Sequence, residues 1–233
     1  MKSAEKIFDA LEYVILQNGS PVTPGMAAEA LALPPATAVR LLQQLTARGY
    51  LVQISRKSGY VPGPMCVSLS TRKYSYSMLA EAAEEPLRRL SEFLKSKINL
   101  AVLHGTGRVM LNIHIPENGP VPWKRFLFRD HWSTATGRIL LASLNENEAK
   151  RICEECGIEP FPYIELKNIR ESGSVCFLQD GLSIIGQRIL IAGYPAAAFG
   201  FGVPPEKSEE AFSASAAAAA EIREKLTAAE PAY

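Results

Sequence analysis

The chain has 233 residues, with 25 Lys plus Arg against 24 Asp plus Glu for a net charge of +1, so it is no generally polybasic nucleic-acid coat protein. That length exceeds one small domain, and two are expected. Nothing at the start resembles a charged and apolar leader, and no run approaches the ~18 apolar residues of a membrane span. With four scattered cysteines, too few for a disulfide framework, a cytoplasmic chain without a membrane partner is expected.

In chain order, the first helix carries Ile7, Phe8, Leu11, Val14 and Ile15, an apolar surface for dimerisation or for packing onto its own domain. Thr23 followed by Pro24 reads as an N-cap and first helical position, opening a second helix over TPGMAAEAL. Pro34 and Pro35 break that helix and suit the first turn of another, which runs to a stop at Gly49. In this third helix Ala38, Leu41, Leu42 and Leu45 make a buried stripe, leaving Ala36, Val39, Arg40 and Gln43 opposite, flanked by Thr37 and Gln44. Residues 50–54 and 59–62 read as two strands around a turn bearing Arg56 and Lys57, placed to touch phosphate. The pattern is a winged helix-turn-helix, which places a helix in the major groove; a small helical domain with ordinary solvated charges is the alternative. Residues 1–65 hold six basic against four acidic residues, or +2, leaving −1 for the rest.

Residues 74–97 read as a connecting helix with a stripe of Leu79, Ala83, Leu87, Leu90 and Leu94, kinked or restarted at Pro86. Beyond residue 98 an α+β domain is expected. NLAVLHG and VMLNIHI form a hairpin around a GTG turn, helices follow at TATGRILLASL and NENEAKRICEEC, and a short one at 165–173. Apolar strands are expected over 183–192 and 196–203, then a C-terminal helix in KSEEAFSASAAAAAEIREKL. Trp123, Phe126, Phe128 and Trp132, interleaved with Lys124, Arg125 and Arg129, either line a pocket for an aromatic or apolar acid or fold over the core. Cys153 and Cys156 offer a CxxC, but no second pair or nearby His completes a tetrahedral site, so helical packing is preferred. His104 and His114 approach each other only if the hairpin brings them together, and His131 stands apart. No metal site or cofactor is expected. No GxSxG elbow, P-loop or HExxH is present, so no enzyme is expected.

The segments KIFDALEYV, LALPPATAVRLLQQLTARGYL, GYVPGP, STATGRILLASL, GQRILIAGYP and AAAAAEIREKL, in that order, resemble the blocks of the IclR family of bacterial transcription regulators across nearly the whole chain. The resemblance implies an N-terminal winged helix-turn-helix (1–65), a linker helix (66–97) and a GAF-like effector domain with an antiparallel sheet and helices (98–233), assembled as a homodimer or tetramer. It departs from the family at Pro35, Ala36 and Val39, where members carry polar groups, while Thr37 and Arg40 are retained. Arg40 and Gln43 are therefore expected at base edges, Thr37 and Gln44 beside them, and Arg56 and Lys57 on the backbone. For the effector, the helix start at Ser133, Thr134, Thr136 and Gly137 is expected to hold an anion, beside Trp132 from the aromatic loop. Asp180, Ile189, Gly200 and Gly202 occupy family pocket positions. The expected function is sequence-specific binding of double-stranded operator DNA controlled by a small organic acid or aromatic metabolite. The alternative is a diverged dimeric interaction or ligand-sensing module with weak or no specific DNA binding.

Overall fold

The computed structural model describes residues 2–71, 74–116 and 126–229, and the chain divides into two compact units, residues 1–72 and residues 73–119 with 127–233.

The first unit contains α1 (Lys2–Ile15), α2 (Pro24–Ala30), α3 (Pro35–Ala47), β1 (Leu51–Ser55), β2 (Gly59–Pro62) and α4 (Pro64–Ser70). Thr23 caps α2 as expected, its hydroxyl accepting from the Met26 N–H at 3.3 Å. The stripe Ala38, Leu41, Leu42 and Leu45 is buried, and it meets Ala10 and Val14 of α1, Val22, Leu51 and Tyr60 in one core. Helix α1 thus packs onto its own unit, yet Phe8 remains exposed. The β1–β2 hairpin is tied to the segment before α2, because Val22 and Tyr60 exchange both backbone hydrogen bonds at 2.8 Å. Gly59 is required at this crossing: its φ is +99°, and a Cβ there would lie 2.4 Å from the Val22 carbonyl oxygen.

The second unit begins with α5 (Ser75–Leu94), which continues through the buried Pro86 as one helix, where the sequence suggested a kink or restart. The segment expected as one linker helix over 66–97 comprises α4 and α5, with Arg72 and Lys73 outside the described residues. There follow β3 (Ile98–His104), β4 (Gly107–His114), β5 (Leu127–Phe128), α6 (Ala135–Ala142), α7 (Glu146–Glu155), α8 (Tyr163–Ser172), β6 (Ser174–Gln179), β7 (Leu182–Ile189), β8 (Ala197–Val203) and α9 (Ser208–Ala228). The strands form one antiparallel sheet in the order β5-β4-β3-β8-β7-β6. Strand β6 was not anticipated from the sequence. His104 pairs with Gly107 and His114 with Ile98, so the two histidines sit at opposite ends of the β3–β4 hairpin.

Period-two alternation gives this sheet two different faces. Ile98, Leu100, Val102, Ile185, Ile189, Phe199 and Phe201 pack on α5 and α9, forming the main core. The alanine-rich α9 buries Ala211, Ala218 and Ala219 against this face, so helix and sheet approach closely. On the other face α6 lies against β7 and β8 over glycines: a Cβ on Gly186 would lie 2.8 Å from the Ala135 Cβ, and one on Gly200 3.1 Å from it. Cys153 is buried on α7 and Cys156 ends that helix.

Candidate functional site

The face of α3 opposite its buried stripe exposes Ala36, Arg40, Gln43 and Ala47, at i, i+4, i+7 and i+11. Thr37 is half-buried at the edge of that face. Gln44 is exposed on the flank toward α1, where it lines an apolar groove with Ile7, Phe8, Leu11 and Arg48. Arg56 and Lys57 stand exposed at the hairpin tip, which is held by the Ser58 N–H donating to the Ser55 hydroxyl at 2.9 Å. Between Glu29 and Glu81 the chain has no acidic residue and six basic ones: Arg40, Arg48, Arg56, Lys57, Arg72 and Lys73.

In the second unit a cleft of ≈ 190 Å³ lies between the sheet and the start of α6. Asn99, Arg108, Gly200 and Gly202 line it from the strands, Ser133, Thr134 and Thr136 from the helix end, and Lys97 from the approach to β3. Arg108 is only 3 % exposed. Its Nη1 donates to the Thr136 hydroxyl at 2.7 Å and its Nη2 to the Asp130 carboxylate at 2.6 Å, while the guanidinium lies 5.4 Å from the Phe128 ring centre. A guanidinium this deep is tolerable because it is paired, and its fork holds β4, the 130–134 loop and α6 in register. His131 is fully buried in that loop; its Nε2 meets the Thr106 carbonyl at 3.0 Å, and burial pushes its pKa down.

Ser133, Thr134, Gly200 and Gly202 therefore come together in the cleft, and four other positions expected for an effector do not. Gly137 is sealed from it: its N–H donates to the Thr134 hydroxyl at 3.2 Å, and a Cβ would lie 2.2 Å from the His131 carbonyl oxygen. Trp132 lines a separate cavity with Phe161 and Glu165, and Arg138 stacks between its ring, at 4.5 Å, and that of Phe177, at 3.6 Å. Asp180 is exposed in the β6–β7 turn with φ 51°. Ile189 points into the core on the opposite face of the sheet, because strand alternation puts Gly186 and Arg188 toward α6 instead. Of the aromatic loop, Trp123, Lys124 and Arg125 lie outside the described residues.

Residues 3–55 match the sequence profile of the IclR helix-turn-helix domain. The N-terminal unit is thus similar to an IclR helix-turn-helix. The whole chain also has the fold of solved IclR proteins. An IclR homologue from Microbacterium hydrocarbonoxydans, solved in complex with 4-hydroxybenzoate, superposes with a TM-score of 0.74 at 19% identity, covering 96% of this chain and 98% of that one. HmgR of Pseudomonas aeruginosa gives 0.70 at 23% identity over 97% and 99% of the two chains. IclR of Thermotoga maritima gives 0.63 at 22% over 97% and 99%. No curated protein matches the chain in sequence.

Within this IclR fold, reading by family position missed Arg108, Asn99 and Lys97, and noticed Thr136 only as part of a helix start. A signal for Arg108 existed, since in GRVML it shares a strand face with Met110 while Val109 and Leu111 turn to the apolar core. The acid-free span from 30 to 80 was equally readable, but charge counted over residues 1–65 includes the acids of α1 and dilutes it.

Proposed function

We propose that this chain is a cytoplasmic, non-catalytic transcription regulator that binds double-stranded operator DNA as a homodimer or tetramer under the control of a small-molecule effector. The observation that carries the DNA reading is the exposed Arg40–Gln43 face of α3 beside the Arg56–Lys57 tip, in a stretch without acidic residues. Arg40 and Gln43 have the chemistry to read base edges, and Thr37 flanks them. Gln44, turned toward α1, serves the rim of that interface, while Arg56 and Lys57 neutralise phosphates.

The effector reading rests on the cleft beside α6. Lys97 and Arg108 give it a cationic lining, Ser133 and Thr134 add hydroxyls, and an organic acid is the matching ligand class. An aromatic acid of the kind bound by the Microbacterium hydrocarbonoxydans homologue is one candidate. Ligand contacts that differ between two arrangements of the units, transmitted by α4 and α5, would alter half-site spacing.

Selection from a randomised duplex library, followed over a salt series, tests this. A palindromic winner whose affinity falls at least about fivefold with Arg40→Ala supports the reading. Binding without sequence preference, unchanged by Arg40→Ala with and without organic acids, overturns it in favour of a dimeric interaction module.

A further inference from the structure

Three guanidiniums gather at the C-terminal end of β7, away from the cleft. Arg188 lies roughly 13 Å along that strand from Ile184 of the cleft lining. Its main chain ties it to both companions: the Arg188 N–H donates at 2.8 Å to the carbonyl of Gly173, which ends the helix bearing Arg170, and its own carbonyl accepts from Nη1 of Arg223 on α9 at 3.1 Å. Arg170 donates in turn from Nε and Nη2 to the carbonyls of Ala142 and Leu144, at 2.9 and 2.8 Å, at the C-terminal end of α6.

The chain pairs Arg88, Arg89, Arg108 and Arg151 with carboxylates, but among the described residues none pairs with Arg170, Arg188 or Arg223. All three are half-buried, and Glu171 and Glu224, next to two of them in sequence, are exposed. The Arg188 guanidinium has no hydrogen-bond partner among the described residues, and its nitrogens stay accessible to solvent. Gly173 leaves room beside it, since a Cβ there would lie 3.4 Å from Nη2 of Arg188. Burial, and then the charges of Arg170 and Arg223, press the Arg188 pKa below its usual value.

The unmatched charge sets the ligand class. The C-terminal ends of α6 and α8 each carry roughly half a negative charge, so together they offset about one of the three guanidiniums and leave about two positive charges. A phosphate monoester carries close to two negative charges at neutral pH, and its oxygens suit several guanidinium forks at once, whereas a carboxylate brings one charge and two oxygens.

We propose that Arg170, Arg188 and Arg223 form a site for a phosphoryl dianion, either a phosphate monoester or phosphate itself, separate from the effector cleft. Bound there, the dianion joins α8, β7 and α9 and takes up the free donors of Arg188.

Titration calorimetry of the full chain with inorganic phosphate, glycerol 3-phosphate and dimethyl phosphate, a monoanion, tests it at constant ionic strength and about pH 7.5. The two dianions are expected to bind at least about tenfold tighter than dimethyl phosphate. Arg188→Gln and, as a second variant, Arg223→Gln should each weaken both dianions about tenfold or more, while Lys97→Gln in the effector cleft should leave them within about twofold. Melting supplies an independent sign. Without phosphate Arg188→Gln should melt no lower than the parent, because it removes an unpaired like charge, and saturating phosphate should raise only the parent, by about 2–4 °C. Tighter binding of the ester would make a phosphorylated metabolite the ligand, and equal binding the phosphoryl group alone; either supports the site. Dimethyl phosphate binding as tightly as the dianions would overturn selection of a dianion. No binding of any of the three, or binding lost with Lys97→Gln and indifferent to Arg188→Gln, would overturn the site and leave the DNA reading untouched.

Discussion

Replacing Gly137 by alanine sets two effects of comparable size against each other. Gly137 sits inside α6, where alanine is favoured over glycine by about 1 kcal/mol through helix propensity. The new Cβ, however, would lie 2.2 Å from the carbonyl oxygen, 2.5 Å from the Cα and 2.6 Å from the carbonyl carbon of His131. All three are backbone atoms, so no side chain can swing away. The 130–134 loop must retreat, and it carries Asp130, which pairs with Arg108, and Thr134, which caps the helix. Overpacking of this kind costs roughly 1–3 kcal/mol, and loss of the cap adds about 1 kcal/mol, so the net effect is destabilisation by about 1–3 kcal/mol. Gly25→Ala is the control. Gly25 lies in α2, and its Cβ would find nothing closer than the Thr23 hydroxyl oxygen at 3.9 Å, so the same substitution there should stabilise by roughly 0.5 kcal/mol. Urea unfolding followed by circular dichroism should move the two midpoints in opposite directions. A Gly137→Ala protein as stable as the parent would refute the packing of the loop on α6.

Arg40→Ala should reduce affinity for the selected operator by about 1–3 kcal/mol while hardly changing binding to random duplex, as fluorescence anisotropy would record. Lys57→Ala should weaken selected and random duplexes alike and lower the slope of log affinity against log salt by about 1; a sequence-dependent loss would remove Lys57 from the backbone contacts. Leu42→Ala, at a fully buried position in the first unit, should cost about 2–5 kcal/mol, and a loss below 1 kcal/mol in urea unfolding would contradict that core. Burial holds the pKa values of both His131 and His114 below the usual 6.5, chiefly by desolvation. Below about pH 6.5 the unfolded chain therefore binds more protons than the folded one, and stability should fall as pH drops from 7 toward 5. A melting temperature flat across that range would show that these rings are not held neutral.

The first unit was legible because its signals are local. Thr23 and Pro24, the double proline at 34–35 and the leucine stripe of α3 each fix a boundary or a face within one or two turns. The cleft was not, because strands far apart in sequence assemble it. Asn99 faces Gly200 across the β3–β8 ladder, and Arg108 reaches Thr136 on α6. Positions borrowed from a family pattern were split between the two faces of the sheet, which the sequence alone does not separate, as Ile189 shows. Strand β6 escaped notice for a related reason: SVCFLQ is short and follows directly on α8 through Gly173, so no loop announces it. The glycines at 186 and 200 were visible, but their packing role against Ala135 emerges only with α6 in place.

The main-chain clasp between Val22 and Tyr60, with Gly59 pressed against it, makes the hairpin an extension of the helix pair rather than a swinging arm. Its basic tip cannot turn without breaking two backbone hydrogen bonds next to the Thr23 cap. The interval from Arg40 to Lys57 is consequently a fixed gauge, and under the DNA-binding function proposed above an operator would have to offer a phosphate at a set offset from the bases it presents. Chains that diverge in target sequence while keeping this clasp would do so by exchanging side chains along α3, as at Ala36 and Val39, with the ruler itself unchanged.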